Sequence, residues 1–232
     1  GTQERCATWQ YAGSKMVLKS IKDEAASAEN KAKIVVSFDM PEQESQLEVT
    51  YEVLPSGNIG VNMHFIPGNK PLPEMPRLGM RMILKKDYDQ MTWLGRGPQE
   101  NYADRKSGYL IGKYSASVWE QYHPYVRAQE TANKCDVRWF TLASKDGQGI
   151  KVEGNEPLSV SAWNFPQEDL YYVPSMIERR HAACIDKKDM VWVNIDHKQM
   201  GVGGDNTWGA QVHHEYTITP HEWSYGFVIM KK

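Results

Sequence analysis

Four acidic residues, Glu100, Asp104, Glu130 and Asp205, fall in stretches with the composition of loops, where a carboxylate is free to meet a substrate. Hydrolysis of a glycoside needs two such acids about 5 to 9 Å apart. Spacing along the chain does not show that distance, and each of the four reads equally well as a salt-bridged or solvated side chain. Metal chemistry has two weak candidates. His213 and His214 are adjacent, so in a strand they point to opposite faces and make a poor chelating pair. Asp196, His197 and Asp205 form a set only if the intervening loop folds back; ordinary loop polarity is the simpler reading. The glycine runs Gly95-Arg-Gly97 and Gly201-Val-Gly-Gly204 do not open a helix in the G-x-G-x-x-G pattern, and neither a Walker sequence nor a G-x-S-x-G elbow occurs. Trp208 is the more specific feature. It follows Gly203-Gly-Asp-Asn-Thr207 and precedes Gly209. A large ring among glycines either packs down as a loop anchor or offers its flat face to the C–H side of a sugar.

The elements that must carry these residues are strands. Lys15–Ile21 and Gln46–Leu54 alternate apolar and polar residues, Lys33–Phe38 is a denser apolar run, and Ile59–Ile66 resumes the period of two after the turn Pro55-Ser-Gly-Asn58. Residues 30–66 are therefore expected as consecutive strands of one antiparallel sheet, with a hairpin at 55–58. Further strands are expected at Arg77–Leu84, Met91–Leu94, Val137–Ala143, Gly149–Glu153, Leu158–Trp163 and Val191–Asp196. A closing hairpin is expected from His213–Thr219 and Trp223–Met230. Residues 24–30 read as a polar loop or short helical turn, and 98–124 as irregular chain with one helical turn near 104–108. Residues 168–179 are the one helix candidate, interrupted by Pro174. Four prolines between Pro67 and Pro76 fit either a linker or a long ordered crossover. Trp93, Trp139, Trp192 and Trp223 lie in or beside strands and belong to the core or the sheet surface.

The 232 residues carry 29 acidic and 27 basic side chains, a balance that points to neither a nucleic-acid nor an anionic-membrane partner. Lys85 and Lys86, followed by Asp87 and Asp89, read as a solvated strand end. Cys6, Cys135 and Cys184 are odd in number and widely spaced, without a C-x-x-C, and read as free, mostly buried residues. No apolar run reaches membrane-spanning length and no leader pattern is seen. The chain begins Gly1-Thr2-Gln3, so the compartment, cytoplasm or periplasm, stays open. Many strands and short turns indicate an all-β sandwich or barrel.

Two long segments carry a family resemblance. Trp93-Leu-Gly-Arg-Gly-Pro-Gln-Glu-Asn-Tyr-Ala-Asp-Arg105 resembles a signature of the C-terminal domain of large family 2 glycoside hydrolases of the β-galactosidase type. So does Trp192-Val-Asn-Ile-Asp196 running on through Met200-Gly-Val-Gly-Gly-Asp-Asn-Thr-Trp208; Tyr122–Val126, Gln129–Asn133 and Cys135–Arg138 follow the same order. The resemblance covers roughly residues 30–232 and is loose over 1–30. It implies a large antiparallel β-sandwich of the galactose-mutarotase-like, or supersandwich, type, a single domain over residues 1–232 in which 67–76 is internal. It implies a retaining β-galactosidase as the parent, acting on terminal β-D-galactosides such as lactose, with two catalytic glutamates. Those glutamates and the Mg2+ ligands sit in a separate barrel domain, with Na+ a further possible ion. No catalytic acid, metal ligand or cofactor is assigned to this chain, and hydrolysis by it alone is not expected. The partners implied are the barrel domain of the same polypeptide, the galactoside and further copies of the parent.

The same resemblance matches Trp208 to an aromatic platform beside the substrate. Asp205 and Asn206 then shape its loop, and Gly201, Gly203 and Gly204 let the loop approach the barrel. Arg96, Asn101 and Arg105 are expected to brace the domain or its interface. Two other readings stand beside this one. A free carbohydrate-binding domain would bind galactose unaided. An aldose epimerase would need His123 or His181 to share a concave face with an acid such as Glu130.

Overall fold

The computed structural model describes residues 2–25, 27, 31–171, 181–206 and 208–232. Eleven strands run in the order β1 (Val17–Glu24), β2 (Ala32–Met40), β3 (Ser45–Val53), β4 (Ile59–Ile66), β5 (Arg77–Lys85), β6 (Gln90–Gly97), β7 (Leu110–Ser117), β8 (Lys134–Ala143), β9 (Gly149–Trp163), β10 (Met190–Gln199) and β11 (Trp223–Lys231). They pair antiparallel in the order β1-β2-β3-β4-β11-β9-β8-β6-β7, with β10 joining β9 to β5. The spine is β9. One of its edges pairs with β8; on the other, residues 150–154 pair with β11 and residues 159–163 with β10. The sheet thus parts at β9 into two wings. Their inner faces close on one core that takes Phe65, Phe227 and Val49 from one wing and Leu78, Val193 and Ile195 from the other, with Trp93 and Phe140 between. Tyr225 ties the wings by donating to the Ile195 carbonyl at 2.9 Å. The protein is an all-β antiparallel sandwich.

Pairing registers show where this core stops. Tyr225, Met63, Val49, Val36 and Ile21 form one row across β11, β4, β3, β2 and β1. The first three are buried, Val36 is half-buried, and Ile21 is 61% exposed. The neighbouring rows end the same way, at Leu18 beside Phe38 and at Ile34 beside Tyr51. A sheet face that is core at β11 is therefore bare at β1. Alternating apolar residues predict this face correctly but carry no information on which part of it is covered.

Other expectations meet corrections. β6 does not end at the glycine corner but runs through it, because Gly95 has no side chain where Val137 of β8 passes; a Cβ there would lie 2.9 Å from the Val137 Cα. β7 replaces the irregular chain expected after residue 98, and residues 104–108 form turns, not a helical turn. It is an edge strand, and its Gly112, Ser115 and Ser117 break the alternation that marks the others. The two strands expected on either side of residues 154–157 are one, β9. Residues 213–219 form no hairpin strand: a 3-10 turn occupies His214–Tyr216, and the Tyr216 and Ile218 carbonyls accept from Gly201 and Met75 instead. β11 pairs with β4 and β9. The segment 67–76 is an ordered crossover, held by Trp9 Nε1 on the Pro73 carbonyl at 3.0 Å and by the buried Met75. Where a helix was expected over 168–179, the chain makes a short 3-10 turn at Gln167–Leu170; residues 172–180 lie outside the described residues, as do 26 and 28–30 of the segment 24–30.

Candidate functional site

The glycine-rich loop begins where β10 ends. Met200 and Gly201 donate their N–H groups to the Pro76 and Tyr216 carbonyls, so the loop leaves from a pinned base. Its first turn lies against Asp104. The Val202 N–H reaches Asp104 Oδ1 at 3.2 Å and the Gly203 N–H reaches Oδ2 at 2.8 Å. Only glycine permits this approach: a Cβ on Gly201 would lie 2.7 Å from the Asp104 carboxyl carbon and 2.4 Å from Val212. Further along, Asn206 Oδ1 accepts the Trp208 N–H at 2.8 Å, a side-chain-to-backbone turn that aims the next residue. Asp205 pairs with His213 at 2.9 Å across the loop, and Arg5 reaches Gln211 at 2.6 Å on the return leg. Asp205 draws the His213 imidazole above its ordinary titration range. At the tip, Trp208 is 94% exposed.

Beneath the loop is a hub built on Glu100. Its carboxylate accepts the Ala132 N–H at 2.7 Å, the Thr131 hydroxyl at 3.1 Å and the Arg105 guanidinium at 2.6 Å, together with the Tyr125 and Tyr102 hydroxyls. Asn101 is fully buried and exchanges hydrogen bonds with the next loop: its N–H donates to the Asn133 carbonyl and its side-chain oxygen accepts the Cys135 N–H, both at 2.8 Å. Arg105 also reaches the Tyr125 hydroxyl at 3.0 Å and lies over the Tyr102 ring. Arg96 donates to the Lys106 and Tyr109 carbonyls and pairs with Asp136. In this geometry Arg96, Asn101 and Arg105 tie their segment to Tyr125 and to residues 133–136 within this chain.

The four acids considered for glycoside chemistry are each engaged separately. Glu100 belongs to the hub, Asp104 to the loop backbone, Glu130 to Arg77 at 2.9 Å and Asp205 to His213. The set Asp196, His197 and Asp205 does not form. Asp196 is buried against Arg77 at 2.7 Å, with a carboxylate oxygen that leaves no room for a Cβ on Gly79, while Asp205 turns to His213. His197 sits at the register shift between Asp196 and Lys198 and packs on Tyr225 and Trp223. An epimerase-like pair is likewise not assembled: His123 packs on Tyr125 and His181 meets the Val126 carbonyl, while Glu130 goes to Arg77. Among the described residues no three His, Cys, Asp or Glu side chains converge on a metal position.

Sequence reasoning missed the roles of three residues. Glu100 and Asp104 stood only as acids of uncertain partner; their clustering near Arg105 and the glycines was the available signal. Lys134 had no signal at all. It is 1% exposed, donates to the Ala132 carbonyl at 3.0 Å and lies 5.1 Å from the Trp93 ring centre, and burial pushes its ammonium down to about 7.

The fold and loop define a class first: an all-β domain whose exposed aromatic is presented by a glycine loop, with Glu100, Asp104, Glu130 and Asp205 committed to contacts within the chain. The family model described as "Beta galactosidase small chain" matches residues 2–229, and the chain belongs to that family. The β-galactosidase of Priestia megaterium is 34% identical over 216 residues, which is 93% of this chain and 20% of that protein. That of Lactobacillus delbrueckii subsp. bulgaricus is 35% identical over 214 residues, 91% of this chain and again 20% of the relative. The chain thus spans about a fifth of the length of these relatives. Among solved structures, a galactose 1-epimerase from Lactobacillus acidophilus overlaps 92% of this chain and 66% of its own, at 10% identity and a TM-score of 0.40.

Proposed function

We propose that this chain is the sandwich domain of a retaining β-galactosidase and lends Trp208 to an active site whose catalytic glutamates lie in another part of the polypeptide. The observation that carries this reading is the exposed Trp208 at the tip of a loop pinned at both ends. A flat ring costs apolar exposure in water and gains it back by stacking on the apolar face of a sugar. Its role is positioning; it holds no proton to transfer. The four loop acids Glu100, Asp104, Glu130 and Asp205 are tied into ion pairs and backbone contacts, and we assign proton transfer and nucleophilic attack on a terminal β-D-galactoside to the barrel part. We assign any Mg2+ to that part as well.

The bare margin of β1 and β2 supports the same reading. Leu18, Ile21 and Ile34 extend a face that is core elsewhere, and four fifths of the relatives' length lies outside the matched region. We assign this margin to contact with a further segment of the same polypeptide. Ile21→Lys should then leave the stability of this chain within about 0.5 kcal/mol in urea unfolding, and should destabilise the whole polypeptide by about 1 to 3 kcal/mol through a buried charge or lost packing. Equal effects in both would remove the assignment, and so would a dimer of this chain that the substitution dissolves.

The functional reading is tested by assaying this chain at high concentration on lactose and an aryl β-galactoside. No turnover is expected. In the whole polypeptide, Trp208→Ala should lower kcat/KM by roughly tenfold or more, the loss of one aromatic contact worth about 0.5–1.5 kcal/mol beyond its buried area. Reproducible turnover by this chain, abolished by changing one of its own acids, would overturn the reading. Galactose binding by this chain, lost in Trp208→Ala, would favour a free carbohydrate-binding domain.

A further inference from the structure

We infer that Asp104 is the positioning residue for Trp208, so that the Trp93–Arg105 segment serves the site by holding the tryptophan loop and not by touching sugar. The inference rests on the reading of Trp208 as the functional side chain and adds the device that places it. Three observations carry it. Asp104 offers both carboxylate oxygens to consecutive N–H groups, Val202 and Gly203, in the first turn of the loop. A carboxylate accepting two backbone donors forms charge-assisted bonds, stronger than neutral ones and fixed in direction. The loop is cut to fit this group: a Cβ on Gly201 would overlap the carboxyl group at 2.7 Å, and one on Gly203 would make a tight 3.3 Å contact with Asp104 Oδ2.

The third observation is that Asp104 stands on a rigid base. It lies in a tight turn closed by the Arg105 N–H on the Tyr102 carbonyl at 2.9 Å. Tyr102 is 1% exposed, and the Arg105 side chain is anchored on Glu100 and Tyr125. A half-buried carboxylate on such a turn has one position to offer. Only four residues separate Gly203 from Trp208, so a fixed Gly203 limits where the ring can go. Without Asp104 the loop would keep its base at Gly201, the local Asn206–Trp208 turn, and the exposed Asp205–His213 and Arg5–Gln211 contacts. Exposed pairs of that kind are weak and screened by solvent.

The test uses this chain labelled with 5-fluorotryptophan. Its eight tryptophans give eight 19F signals, and Trp208→Phe identifies the one from the loop tip. In Asp104→Ala the Trp208 signal should shift and narrow to about half its width as the loop gains fast motion, with the seven others unmoved. Asp104→Asn, which keeps one acceptor for Gly203 and loses the charge, should give an intermediate change. An unaltered Trp208 signal in Asp104→Ala would overturn the inference. A change spread equally over all eight signals would also overturn it, because Asp104 would then support the fold at large. No sugar enters this measurement, so it stands or falls apart from the turnover of Trp208→Ala in the whole polypeptide, which judges the functional reading itself.

Discussion

Glu100 and Trp208 sit in neighbouring loops joined through Asp104, and the two loops are built in opposite ways. Around Glu100 the chain is buried, and five donors converge on one carboxylate. Around Trp208 the chain is exposed, and its fastenings are a few polar contacts: Asp104 on two N–H groups, Asp205 on His213, Asn206 on the Trp208 N–H and Arg5 on Gln211. The difference shows how a fold places an aromatic group where a substrate could use it. The ring is left without packing partners of its own, and its position is borrowed from a satisfied network one turn away. A network of that kind is costly to break, because removing the shared acceptor strands several buried donors at once.

The contrast can be broken most directly at its strong end. Glu100→Ala should cost about 3–5 kcal/mol, the loss expected when one partner of a buried charged network is removed, read as a lower urea midpoint; a loss below about 1 kcal/mol would mean that water replaces the carboxylate without penalty. Lys134 sharpens the same end. Its folded-state value of about 7 lies below the ordinary lysine range near 10.4. Across that window the unfolded chain binds more protons, so this residue makes stability rise with pH from about 7 toward 10. Lys134→Met should abolish that rise and leave the protein at least as stable at neutral pH, as apolar replacements of buried charges often do; an unchanged pH slope would place the rise elsewhere.

At the weak end the effects shrink. His213 titrates above its ordinary range because Asp205 favours the charged imidazole. Its contribution to closing the loop is present at lower pH and fades as pH rises through that elevated value. The Trp208 signal should follow this titration, and His213→Ala should flatten it. Smallest of all is Trp208→Ala in this chain, which should change unfolding free energy by no more than about 0.5 kcal/mol. A larger loss would show that the ring packs against the body and would dissolve the contrast.

How much of this could be read from the residues varies with the physics involved. β2, β3 and β4 were legible because one face is wet or bare and the other apolar, so the period of two is written into Ile34–Phe38, Leu47–Val53 and Ile59–Phe65. β7 was not, since an edge strand needs little apolar alternation to pair on one side. The continuity of β9 was hidden by Gly154 and Pro157, which look like a turn and in fact lie within one strand flanked by two different partners. The glycine loop and its tryptophan stood out by composition. Most partners of Glu100, Asp104 and Asp196 did not: Arg105 is near Glu100 in sequence, but Thr131 and Ala132 on Glu100, Val202 and Gly203 on Asp104, and Arg77 on Asp196 lie across large gaps, and pairing at such distances is a property of the fold and not of local spacing. The antiparallel all-β class follows from the pattern; which acids are spent on structure does not.

One consequence of the topology concerns how the molecule is made. β11 follows every other strand in the sequence, yet it lies in the interior of the sheet, between β4 and β9. As the chain emerges from a ribosome, β4 and the first half of β9 must wait with open hydrogen-bonding edges until the final strand arrives. Such edges invite pairing with other chains, and closure over so long a span is slow. The nascent protein therefore passes through a sticky interval whose length is set by synthesis of the segment from β9 to Lys231. A chaperone, or the rest of a longer polypeptide already folded nearby, would do most good in that interval.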